Sequence, residues 1–163
     1  MRRRKTSGRK ITLRGGLDNT MKKILFVCIE NACRSQMAEG FVNKFGRGEV
    51  IAYSAGAEPS GRISLKAIEV MREFEIDISS QESKGFGEVP TKEFDYVVTL
   101  GCDDRCPYIP EARHIDWHIE DPRGRDMNFF RKIRDDIWYK VDMLINEISE
   151  SRHQRKRSYA EAL

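Results

Sequence analysis

The run Cys28-Ile-Glu-Asn-Ala-Cys-Arg34-Ser35 has the residue types and spacing for attack on a tetrahedral oxyanion. The five residues between the sulfur and the guanidinium let the chain curl, so that the backbone N–H groups of Glu30, Asn31, Ala32, Cys33 and Arg34 face inward toward anionic oxygens. Arg34 adds a planar, two-pronged donor. The positive field of such a cradle is expected to lower the pKa of Cys28 and hold it as the thiolate, the form that attacks. A lone cysteine here would read as buried filler at a strand end. Cysteine, arginine and serine together, between a strand and a helix, favour chemistry.

The flanking elements must hold that loop. Lys22–Cys28 is a short apolar run of strand composition, and Ser35–Phe45 opens a helix with Met37, Ala38, Phe41, Val42 and Phe45 near helical spacing. Val50–Ser54 gives a second strand, followed by a turn-rich loop to Pro59. Ser64 precedes a second amphipathic helix carrying Leu65, Ala67, Ile68, Met71 and Phe74. Phe94–Leu100 gives a third strand, Arg113–Asp116 a weaker fourth, and a last helix is expected over about Asn128–Ile148. This order predicts an α/β fold: an open, mainly parallel four-stranded sheet flanked by helices on both faces. Ligands in such sheets bind beyond the strands' carboxyl ends, which groups Cys28, the Ser54–Pro59 loop and Cys102.

The chain of 163 residues suits one domain with a real core. Its net charge of +3 is uneven: residues 1–20 carry seven basic side chains against Asp18, a net of +6, which leaves −3 for the remainder. Residues 1–20 therefore read as a basic, disordered extension, 21–150 as the single catalytic domain and 151–163 as a basic, solvated tail. The leading residues contain no apolar stretch of secretory length, and no run of 18 apolar residues exists. A cytoplasmic protein is expected, with no membrane or nucleic-acid partner. Four cysteines in that compartment suggest chemistry or metal before structural disulfides.

Cys102 and Cys106 follow the third strand in Gly-Cys-Asp-Asp-Arg-Cys-Pro, and Trp117-His-Ile-Glu-Asp121-Pro122 comes soon after. Together with Cys28-Ile-Glu-Asn-Ala-Cys-Arg-Ser-Gln-Met-Ala-Glu-Gly, Tyr53-Ser-Ala-Gly-Ala-Glu-Pro59, Ala67-Ile-Glu-Val-Met and Ile76-Asp-Ile-Ser, these segments resemble the thioredoxin-coupled arsenate reductases. That family shares the fold of low-molecular-weight protein tyrosine phosphatases, and the likeness spans about residues 21–148. It implies that Cys28 attacks arsenate held by the loop amides and Arg34, that Asp121 protonates the departing oxygen, and that Ser35 hydrogen-bonds the nucleophile. It further implies that Cys102 attacks Cys28 to release arsenite, and that Cys106 then takes over Cys102 in a disulfide that thioredoxin reduces. Electron counting agrees independently: arsenate reduction needs two electrons, and a dithiol supplies two on becoming a disulfide. By the same likeness Asn31, Glu39, Ser54 and Asp77 match a potassium-binding set, although the favoured reading is that they simply hydrogen-bond the loop; no other cofactor is required.

The sequence departs from the family in two places. Glu30 stands where glycine is usual, so a carboxylate there opposes oxyanion affinity unless it faces solvent. The pair spacing is also short. Four residues of extended chain span about 13 Å whereas a disulfide needs roughly 4.4–6.8 Å between Cα atoms, so the segment must turn. Pro107 disfavours helical geometry at Cys106, which predicts rearrangement on oxidation. Cys33 reads as a small buried filler.

Rival readings remain. A low-molecular-weight tyrosine phosphatase would use Cys28, Arg34 and Asp121 alone, but Arg123-Gly-Arg-Asp stands where those enzymes place an aromatic pair. A zinc-stabilised binding module would use Cys102, Cys106, His114 and His118. A nucleic-acid regulator would rely on the basic ends.

Overall fold

The computed structural model describes residues 20–102 and 105–162. Strands β1 (Lys22–Cys28), β2 (Val50–Gly56), β3 (Tyr96–Thr99) and β4 (Arg113–Asp116) form one sheet in the order β2-β1-β3-β4, every pair parallel. Among the described residues there are three α-helices: α1 (Arg34–Phe45) between β1 and β2, α2 (Leu65–Arg72) between β2 and β3, and α3 (Met127–Glu161) after β4. A 3-10 turn covers Phe86–Glu88. The register sets Cys28 beside Gly56 and Val27 beside Thr99, so the carboxyl ends of β1, β2 and β3 meet at one edge.

Strand alternation divides the core. Ile24, Phe26 and Cys28 face a large cluster built with Met37 and Phe41 of α1, Met71 of α2 and Ile133 and Ile137 of α3. Leu25 and Val27 face a smaller one with Ala55, Val89, Phe94, Val97 and Cys102. The two faces are covered unequally. The first face holds all three α-helices; the second is covered by the 3-10 turn and by loop residues such as Ile109.

The last helix overturns one expectation. Its apolar periodicity fades at Ile148, yet α3 continues to Glu161 through what reads in sequence as a solvated tail. Neither glycine nor proline interrupts residues 149–161, and the Arg152 guanidinium donates to the Glu49 carbonyl at 3.1 Å. Among the described residues no helix is long and apolar enough to cross a membrane. The expectation for residues 1–20 lies outside the described residues except for Thr20.

Candidate functional site

The loop after β1 is held from outside. The carbonyls of Cys28, Ile29, Glu30 and Ala32 accept from the backbone N–H groups of Ala57, Glu58, Ser60 and Ser64, that of Asn31 from Gln36 Nε2, and that of Cys33 from Met37 N–H. No N–H of residues 29–34 donates to a backbone carbonyl outside α1 among the described residues. With the carbonyls turned outward, the N–H groups are left for the cavity side, as the sequence spacing requires. α1 adds its own N-terminus: Cys33 provides no side-chain cap and the first turn holds no acidic residue.

Asn31 sets the polarity of the nucleophile's hydrogen bond. It adopts φ 48°, a left-handed conformation that asparagine tolerates. Its Oδ1 accepts from the Lys84 N–H at 2.9 Å and from Gln36 Nε2 at 3.0 Å, which turns Nδ2 toward Ser35 Oγ at 2.8 Å. Ser35 then accepts that bond and has its single proton free for Cys28 Sγ, 2.9 Å away. Gln81 extends the chain by donating to Gln36 Oε1 at 2.7 Å. Sequence reasoning missed Gln36 and Gln81, whose only signal is two amides among helix and loop residues.

Two glycines make room for the cradle, and both went unnoticed in sequence. A Cβ on Gly56 would lie 2.6 Å from the Ile29 carbonyl oxygen and 2.8 Å from Asn31 N. Gly101 has φ +88°, and a Cβ there would lie 2.8 Å from Arg34 Nη1. Arg34, only 6% exposed, is thereby seated between Gly101 and the Ile119 carbonyl, to which it donates at 3.0 Å, with Asp121 at 3.5 Å.

Cys28, Ala32, Cys33, Arg34, Asp121 and Arg123 line a cavity of about 60 Å³. Burial works to raise the Asp121 carboxyl, but the Arg123 N–H and guanidinium together with Arg34 outweigh it, so the group is held below the usual carboxylate range. Burial, reinforced by Cys28, pushes the Cys33 thiol far up, which suits a filler and not a second nucleophile. Glu30 does not confront the anion site as a free carboxylate: it pairs with Arg123 at 2.5 Å.

Cys102 and Cys106 are joined in a disulfide, with Cα atoms 5.9 Å apart, and Cys28 and Cys33 are free. The required turn is there, marked by Arg105 N–H donating to the Cys102 carbonyl at 3.3 Å. Arg105 reaches back to Glu58 at 2.6 Å, tying this segment to the loop after β2. The zinc arrangement fails on geometry: both sulfurs are in the disulfide, His114 stacks on Tyr108 and bonds the Ile109 backbone, and His118 is 90% exposed beside Asp116.

Of the four residues matched to a cation, Ser54 and Glu39 touch each other. Ser54 donates to Glu39, whose carboxyl burial raises while Ser54 and Lys84 lower it. Both Oδ1 lone pairs of Asn31 already accept hydrogen bonds, and Asp77 lies in an exposed turn with Ser79 and Arg72. Each of the four residues thus has an oxygen already engaged by a hydrogen bond within the protein.

The family model for low molecular weight phosphotyrosine protein phosphatase matches residues 23–154. A glutaredoxin arsenate reductase of Synechocystis is 40% identical over 132 residues, covering 79% of this chain and 100% of the relative. A solved structure of an arsenate reductase in its oxidized state superposes with a TM-score of 0.71 at 37% identity, covering 78% of this chain and 99% of that one. The Corynebacterium glutamicum thioredoxin-dependent arsenate reductase gives 0.69 at 29% identity, covering 82% of this chain and 65% of that one. By cradle, topology and these likenesses, the chain belongs to the low-molecular-weight phosphotyrosine protein phosphatase family and, within it, to the arsenate reductases.

Proposed function

We propose that this chain converts arsenate to arsenite with three cysteines used in turn, in the reducing cytoplasm, and that thioredoxin returns them to the thiol state. One observation carries the reading: a free Cys28 lies at the base of an oxyanion cradle while a second pair, Cys102 and Cys106, is closed as a disulfide just beyond the adjoining strand β3. A phosphatase needs only the first sulfur.

Cys28 adds to arsenic as an As–O bond breaks, and the oxygen leaves as water with a proton from Asp121. Without an oxyanion, Asp121 is held ionised by Arg123 and Arg34. An entering dianion draws both guanidiniums and pushes the carboxyl upward, so substrate charge itself arms the acid. The Cys102 thiolate then attacks the Cys28 sulfur, the S–As bonding pair passes to arsenic, and arsenic(III) departs as arsenite. Cys106 displaces Cys28 from the resulting Cys28–Cys102 bond, closing the Cys102–Cys106 pair that a dithiol reopens with two electrons. No step is routed through a cation.

The test is arsenite production with thioredoxin and its reductase, run beside a glutaredoxin and glutathione arm, for the wild type, Cys102→Ser and Cys106→Ser. Sustained turnover by the wild type in the thioredoxin arm, with loss in both variants, is the expected result. Turnover only with glutaredoxin would replace the reductant. If all three proteins hydrolysed p-nitrophenyl phosphate well and none made arsenite, the phosphatase reading would stand instead.

A further inference from the structure

The rim of the cavity carries a charged strap. Arg123 Nη1 pairs with Glu30 at 2.5 Å, and Arg123 Nη2 and N–H bond the two Asp121 oxygens at 2.8 and 3.0 Å. Glu30 belongs to the loop after β1 and the other two to the loop that follows β4, so the strap joins two walls of one pocket. Its three side chains are 36–58% exposed, whereas Cys28 and Arg34 at the base are 3% and 6% exposed.

Size and surface agree on what this permits. A dry cavity that houses benzene is on the order of 150 Å³, well above the roughly 60 Å³ here. The aromatic residue that lines the pocket, Phe130, is only 4% exposed, with Lys66 Nζ 5.6 Å from its ring centroid, and Arg125 lies 3.9 Å over the neighbouring Phe129 ring. An aryl ester would have to displace Arg123 from two carboxylates and would find only the almost fully buried Phe130 beside it, whereas an unesterified oxyanion fits beneath and offers its outer oxygens to the same guanidinium.

We propose that the Glu30–Arg123–Asp121 strap is a specificity determinant, restricting the site to free tetrahedral oxyanions and excluding aryl phosphomonoesters. It deepens the reductase reading by fixing the substrate class of the same pocket, and Arg123 and Glu30 are its positioning residues.

The experiment follows alkylation of Cys28 by iodoacetamide, read by mass spectrometry, with inorganic phosphate or phenyl phosphate as protecting ligand. In the wild type, half-protection is expected at about tenfold lower inorganic phosphate than phenyl phosphate. Arg123→Ala and Glu30→Gly, which cut the strap from opposite ends, should each shrink that ratio toward about one. A ratio unchanged in both variants, or a wild type protected equally by both ligands, overturns the proposal. A general loosening of the cradle would weaken both ligands together and leave the ratio where it was. Protection involves neither Cys102 nor a reductant, so an intact, strap-dependent ratio without arsenite formation would sink the reductase reading alone, and arsenite formation without the ratio would sink the strap alone.

Discussion

The cradle around Cys28 and the segment bearing Cys102 and Cys106 follow adjacent strands but are held by different kinds of bond. The cradle has six outward carbonyls engaged and a buried relay of amides from Gln81 through Gln36 and Asn31 to Ser35. Among the described residues, the other segment is tied by its own disulfide, by the buried Cys102, by one turn hydrogen bond and by the exposed Arg105–Glu58 pair. The difference follows from the chemistry each must do. Stabilising an oxyanion needs donors already in place, because reorganising them would add to the barrier. Passing a disulfide from one sulfur to the next needs a sulfur that travels, and a fully bonded backbone would resist that.

Substitutions in the cradle should therefore cost far more than substitutions in the relay segment's tether. Asn31→Ala removes both the left-handed residue and the bond that orients Ser35, and should lower kcat/KM for arsenate reduction by about 10²-fold. Gly101→Ala forces a side chain onto Arg34 at a positive φ; it should destabilise the fold by about 1–3 kcal/mol in urea titration and raise KM for arsenate. Glu58→Ala, by contrast, breaks an exposed pair and should change stability by no more than about 1 kcal/mol. If Glu58→Ala proved as damaging as Asn31→Ala, the contrast between the two regions would be wrong.

Two carboxyls sharpen the comparison through pH. Asp121 is held below its usual range, so its contribution to stability is present above the ordinary carboxylate pKa and lost as pH falls through the lowered value. Glu39 is raised, by burial foremost, so its contribution is present at acid pH and lost as pH rises through the raised folded value. Urea midpoints measured against pH should show Glu39→Gln flattening the loss on the alkaline side of the carboxylate range, a smaller change than any above.

Much of this site is legible in the chain because its chemistry is local. Cys28, Arg34 and Ser35 sit within eight consecutive residues, and a strand and helix of clear periodicity fix their orientation. What escaped depends on distant chain meeting it. Gly56 and Gly101 matter only because β2 and the end of β3 press against the loop, and Gln81 only because its loop returns to α1. Glu30 and Arg123 each stood out as departures, but their pairing across 93 positions has no periodic signature. The helix end at Ile148 was misjudged because apolar spacing records what a helix packs against and says nothing about where it stops.

That overhang has a thermal consequence. α3 is 35 residues, about 50 Å, and beyond the last core contact at Ile148 every residue from His153 to Glu161 is exposed. A helix of so few turns is marginal without packing, so this stretch should unwind on gentle heating while the sheet stays intact. Circular dichroism would then record a gradual, non-cooperative drift ahead of the main melting transition, and deleting the overhang should erase the drift and leave the midpoint where it was.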